Sequence, residues 1–162
     1  MSTKAATHPT VDYEGDFYAW TQDQAEKLRD RRHNEVDWEN VAEEIESSGR
    51  SQRREIRSRL LVLLLHLLKW EFQPDQRKGG WQASIIEARE ELASELDDSP
   101  SLRDYPGQAI ARRYEVARMK AAAETGLPRD TFPETCPYAI EQVLDLHFMP
   151  GVPWHPDDLI RD

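Results

Sequence analysis

VDWENVAEEIESSGRSQRREIRSRLLVLLLHLLKWEFQP, residues 36–74, decides how this chain folds. Asp37 has the short acceptor side chain of a helix N-cap, and Glu39, Glu43 and Glu44 place negative charge near the positive helix start. Trp38, Val41, Ala42, Ile45, Ile56, Leu60, Leu63, Leu67 and Trp70 then form one apolar stripe at helical spacing. The phase survives Gly49, so the pattern predicts one helix of about 36 residues, ~54 Å long, and not two. Gly49 costs about 1 kcal/mol in a helix interior and is the expected place for a bend or a close helix crossing. Pro74 stops the helix.

The opposite face of this helix changes character along its length. Glu39, Glu43 and Glu46 come first, then Arg50, Arg54 and Arg57, then Leu61, Leu65 and Leu68. A helix that is apolar all round is buried all round, so the leucine-rich half belongs at the centre of a bundle or in an oligomer interface. An acidic sector followed by a basic one is self-complementary in two antiparallel copies, which makes a homodimer through the long helix one expected assembly. A monomer in which other helices sandwich the leucines is the other.

Working outward, a first helix is expected from Thr21, where Thr21 and Gln24 have capping-box spacing. Tyr13, Phe17, Tyr18 and Trp20 read as an aromatic cluster docking the N-terminal arm. A third helix starts near Trp81, with Ile85, Ala88, Leu92 and Leu96 on its face. Ser99 and Pro100 open a short turn, and Pro106 restarts a fourth helix through Ile110, Tyr114, Ala117 and Ala121. Gly126, Leu127 and Pro128 end it. Cys136 and Pro137 are expected to open a short fifth helix running to Leu144. No window alternates at period two, so no sheet is expected. The reading is all-α: a bundle of about five helices around one long central helix. Residues 1–12 read as a disordered tail, 13–149 as a single helical domain, and 150–162 as a tail or a strap over the surface.

The chain has 162 residues, 38% of them apolar and 32% charged, with a net charge of −10. Such acidity argues against nucleic acid and anionic membrane surfaces as partners, since both demand clustered positive charge. The longest apolar run, Leu60 to Leu68, is too short to span a bilayer. A single cysteine excludes an internal disulfide and any CxxC motif. No basic-then-apolar leader opens the chain, so a cytoplasmic location is expected.

YEGDFYAWTQDQAEKLR, the 36–70 stretch, EFQPDQR, SPSL, AAAETGLP and TFPETCPYAIEQVLD follow one another in this order between Tyr13 and about Phe148. Together they resemble the bacterial family called domain of unknown function 29. The resemblance implies an all-helical protein of a kind common in cyanobacteria and proteobacteria. It implies no activity, cofactor or catalytic residue. Lys78-Gly79-Gly80-Trp81 departs from the family, which more often carries a serine before the tryptophan.

Candidate chemistry is sparse. Ferritin-type metal sites need paired Glu-x-x-His units, and the nearest match, Asp30-x-x-His33, lies at a polar helix end. Glu44, Glu55 and His66 follow one flank of the long helix at eleven-residue steps, each ~16 Å apart along the axis, too far for one metal. His66 reads as a core-flanking histidine with a hydrogen-bonded neighbour. The arginines from Arg50 to Arg59 form the only basic segment, and pairing such as Glu46 with Arg50 accounts for them. Cys136 would gain reactivity at a helix start, but free cysteine usually packs as a small hydrophobe. GxGxxG, GxxxxGK[ST], GxSxG and HExxH are all absent. No catalytic, cofactor-binding or metal-binding residue is therefore assigned. The expected function is a non-catalytic protein–protein interaction or regulatory module with a protein partner. The alternative is a metal-dependent or thiol enzyme built in the bundle near His66.

Overall fold

A computed structural model describes residues 11–161. The expectation of a disordered tail over 1–12 falls, for residues 1–10, outside the described residues. Five α-helices follow in order: α1 (Phe17–Arg29), α2 (Trp38–Phe72), α3 (Gly79–Asp98), α4 (Tyr105–Thr125) and α5 (Ile140–Leu144). Short 3-10 turns join them. The fold is all-α, with α2 packed against α3 and α4. No strand occurs among the described residues, and the one isolated bridge pairs Lys78 with Ile160 in parallel. The described residues divide into two compact units, 11–50 and 51–161. The long helix, 35 residues uninterrupted, contributes 38–50 to the first and 51–72 to the second.

In the N-terminal unit α1 begins four residues before the expected Thr21. Asp16 is its N-cap, accepting from the Ala19 amide at 3.0 Å. Thr21 and Gln24 do not form a capping box. The Thr21 hydroxyl donates to the Tyr18 carbonyl, and buried Gln24 accepts from the Asp37 amide at 2.8 Å. Trp20 is buried with its ring edge-on to Tyr13, 4.8 Å between centroids, and stacked on Phe17. Its indole N–H donates to Asp37, and Tyr13 donates to Glu44. Asp37 caps α2 as expected, accepting from the Asn40 amide and side-chain amide. These donors hold its carboxyl below the ordinary range, the Asn40 side chain foremost. The end of α1 is a Schellman motif: Arg32 donates to the Lys27 carbonyl and Arg31 to the Leu28 carbonyl. The residue in the left-handed position there is Arg31, at φ 57°, where glycine is usual.

The C-terminal unit holds the main core. Ile56, Leu60, Leu63, Leu64, Leu67 and Trp70 of α2 are fully buried with Ile85 and Leu92 of α3 and Ala117 and Ala121 of α4. Leu65 and Leu68 are buried too, and Leu61 half-buried, so this chain's own helices cover the leucines that left a second copy open. Pro106 sits in the first turn of α4, and Gly126 ends it at φ 71°. Helix α5 spans only Ile140–Leu144. The expected start at Cys136 fails because Pro137 disfavours helical backbone at the residue before it, and the helix begins only after Ala139 as N-cap.

Two buried arginines, unremarked in the sequence, tie the periphery of this unit together. Arg77 donates to the carbonyls of Trp70 and Val152, each at 2.9 Å, with its guanidinium over the Trp70 ring. The Ile160 amide returns a bond to the Arg77 carbonyl at 2.8 Å, and Trp154 meets Trp70 edge-on. Gly151, at φ 83°, allows this approach: a Cβ there would lie 3.3 Å from Arg77 Nη2. Arg89 of α3 donates to the Val143 carbonyl at 2.8 Å and to the Gln142 carbonyl at 3.4 Å, at the end of α5.

Candidate functional site

A cleft of about 520 Å³ lies in the C-terminal unit between α4 and the segment leading to α5. Tyr114 and Arg118 line it from α4, with Arg129, Glu134, Cys136 and Tyr138 opposite. Most of these groups are committed to holding the segment in place. Tyr114 donates to the Pro133 carbonyl at 2.6 Å, and Arg118 to the Phe132 carbonyl at 3.0 Å. Tyr138 donates to Glu71. Burial pushes the Tyr114 hydroxyl up to about 12 and the Tyr138 hydroxyl higher, the latter also through Glu71. The Cys136 thiol donates to the Tyr138 carbonyl, and burial raises its pKa. Lacking a helix start behind it, Cys136 has no helix dipole to favour a thiolate.

His66 is half-buried on α2, with Nδ1 2.8 Å from the Val62 carbonyl. Burial lowers its pKa, and the nearby cations Lys69 and Lys120 push the same way against Glu124. It is thus a histidine paired to its own helix. Glu44 takes the Tyr13 hydroxyl, and Glu55 pairs with Arg59 at 2.6 Å. Asp30 turns to Arg32, and His33 stacks on Trp38. No group of three or more His, Cys, Asp or Glu is placed to hold a metal ion among the described residues.

The arginines of the long helix are largely engaged. Arg50 contacts Glu43 at 2.6 Å and Glu46 at 3.6 Å, Arg53 lies over the Tyr105 ring, and Arg57 donates to the Tyr105 hydroxyl. Arg59 bridges Glu55 and Glu91.

Apolar surface also stands bare. The stripe that forms the core from Ile56 onward is uncovered at the start of α2. Trp38 is 53% and Ile45 69% exposed, and Ala42 between them is exposed as well. Gly49 continues this line with no atom within 4 Å of where a Cβ would stand, so it marks no close crossing. Phe17 and Tyr18 of α1 are also exposed in this unit. Residues 11–50 carry twelve acidic and five basic side chains, a net of −7 out of the chain's −10.

These features describe an all-helical protein built on one long helix, with an acidic N-terminal unit that bares part of its apolar stripe. The family model described as Domain of unknown function DUF29 matches residues 13–149, and the chain belongs to that family. No curated protein and no solved structure matches it. Among the described residues no helix is long and apolar enough to cross a membrane.

Proposed function

We propose that this protein is a non-catalytic interaction module whose N-terminal unit docks a basic amphipathic helix of a partner protein. The observation that carries the reading is the Trp38–Ala42–Ile45 stripe, exposed on a unit whose residues 11–50 carry a net charge of −7. These three positions repeat at the spacing by which a helix presents a face to another helix. Large side chains left half to two-thirds exposed in a row gain by being covered, at roughly 25 cal/mol per Å² of apolar surface. The acidic surroundings select the charge of the partner and speed its approach. Glu39 and Glu46 flank the stripe and would meet the partner's lysines or arginines.

A photo-reactive benzoyl-phenylalanine at position 42, in host cells, tests this. The expected result is one dominant adduct whose cross-linked segment is basic and amphipathic, weakened by salt and abolished by Ile45→Lys with helical circular dichroism unchanged. The same probe at exposed Glu87 of α3 serves as control. An adduct indifferent to Ile45→Lys, or one mapping to an acidic segment, overturns the proposal.

A further inference from the structure

In the C-terminal unit a second cleft of about 370 Å³ lies beside the end of α5. Ala93, Leu96 and Leu144 supply its apolar wall, and Arg89, Asp97 and Arg103 its charged groups. The volume falls at the small end of the range for small-molecule sites, and the pattern of apolar walls with few polar groups is theirs too. Arg89 is the unusual member. Its residue is 1% exposed, its hydrogen-bond partners among the described residues are carbonyls alone, and its Nη1 is buried with none. Buried guanidinium groups are normally paired with a carboxylate, because a cation taken from water needs a counter-charge. Burial accordingly pulls this one down to about 10, with Asp145 only partly opposing the shift. Arg103 is held loosely, its Nη2 3.8 Å from Asp97 and its side chain 65% exposed, so it is free to turn to a second anion.

We propose that this cleft binds a small aliphatic monocarboxylate, with its chain along Ala93, Leu96 and Leu144 and its carboxylate between Arg89 and Arg103. The carboxylate gives Arg89 the directly paired counter-charge that Asp145, which makes no ion pair with it, does not, and accepts from the free guanidinium N–H after a small side-chain adjustment. A planar fork matches a carboxylate, which a neutral amide or an ammonium group does not reproduce. The site lies on the C-terminal unit and is independent of the docking face proposed on the N-terminal unit.

Hexanoate titrated into the full chain, followed by amide NMR, tests the assignment. The expected result is saturable shifts at Ala93, Leu96 and Leu144 with a Kd on the order of 1 mM, as suits so few atoms. Hexanamide and hexylamine bind at least about tenfold more weakly. Arg103→Glu weakens hexanoate about threefold to tenfold, the range of one exposed charge. Ala93→Phe, at an exposed helix position, fills the cleft and abolishes binding while the melting temperature stays within a degree or two, about the effect of a surface change. Arg89 itself is left untouched, since it also holds α5. Absence of saturable shifts with hexanoate, equal binding of hexanamide, or full binding by Ala93→Phe overturns the proposal.

Discussion

At the residue scale, the C-terminal unit is organised by polar side chains that work inside it. Arg77, Arg89 and Tyr138 each fasten a peripheral segment to the helices. Arg89 was legible in principle: it stands four residues after Ile85 and three before Leu92, inside the apolar stripe of α3. Periodicity marks such a position as buried, but does not say whether a carbonyl waits there, because the acceptors come from residues 142 and 143. Tyr138 provides a test. Its hydroxyl is the donor to Glu71, so Tyr138→Phe leaves a carboxylate short of a partner and should cost about 1–3 kcal/mol near neutral pH, read from urea unfolding. The pH dependence has a definite sign. The folded protein holds the Tyr138 proton above the ordinary tyrosine value of 10.0, while the unfolded chain releases it near that value. Stability from this group is thus present below pH 10.0 and lost as the pH rises past it. The wild type loses it and the phenylalanine variant does not, so the gap between them narrows with rising pH. A gap that widens above pH 10.0 contradicts the assignment. Taking the difference also cancels Arg89, which acts in the opposite direction in both proteins.

At the element scale, what could be read depended on length. Helix α2 repeats its pattern over 35 residues, and its start at Asp37 and stop before Pro74 are where the sequence places them. Helices α3 and α4 are likewise marked by stripes of five or six turns. Helix α5 has five residues, fewer than two turns, so no period can establish it, and the prolines before it decide its start. Helix α1 was shifted by a competing acceptor: Asp16 caps it, and the Thr21–Gln24 pair is drawn into other bonds. Two helix ends turn on a left-handed residue but differ in which residue it is, and this yields a paired expectation. At the end of α4 Gly126 holds φ 71° without strain, whereas at the end of α1 Arg31 holds φ 57° with a Cβ. Arg31→Gly should raise stability by about 1 kcal/mol, and Gly126→Ala should lower it by about the same amount. Urea midpoints measured on both variants check this. Shifts of equal sign would show that the two caps are not equivalent in conformation.

At the scale of the whole molecule, the question is what covers apolar surface that the chain leaves bare. Two copies paired along α2 were expected if Leu61, Leu65 and Leu68 needed cover. Leu65 and Leu68 are buried by the chain's own helices, so that demand is gone. The bare stripe lies instead at Trp38, Ala42 and Ile45, on the unit whose residues 11–50 carry a net charge of −7. Pairing two such units would set like charges against each other across the contact, an arrangement whose cost grows as salt is removed. The basic sector can do little to relieve it, because Arg50 already serves Glu43 and Glu46 and Arg57 is engaged with Tyr105, which leaves Arg54 alone. Self-association is therefore opposed by the same charge that would attract a basic helix. The expected outcome in multi-angle light scattering is a mass near 18.8 kDa at micromolar concentration in low salt. Ile45→Glu should leave that mass unchanged. A mass twice as large at low salt, reverting to 18.8 kDa in Ile45→Glu, would make the second copy the occupant of the stripe.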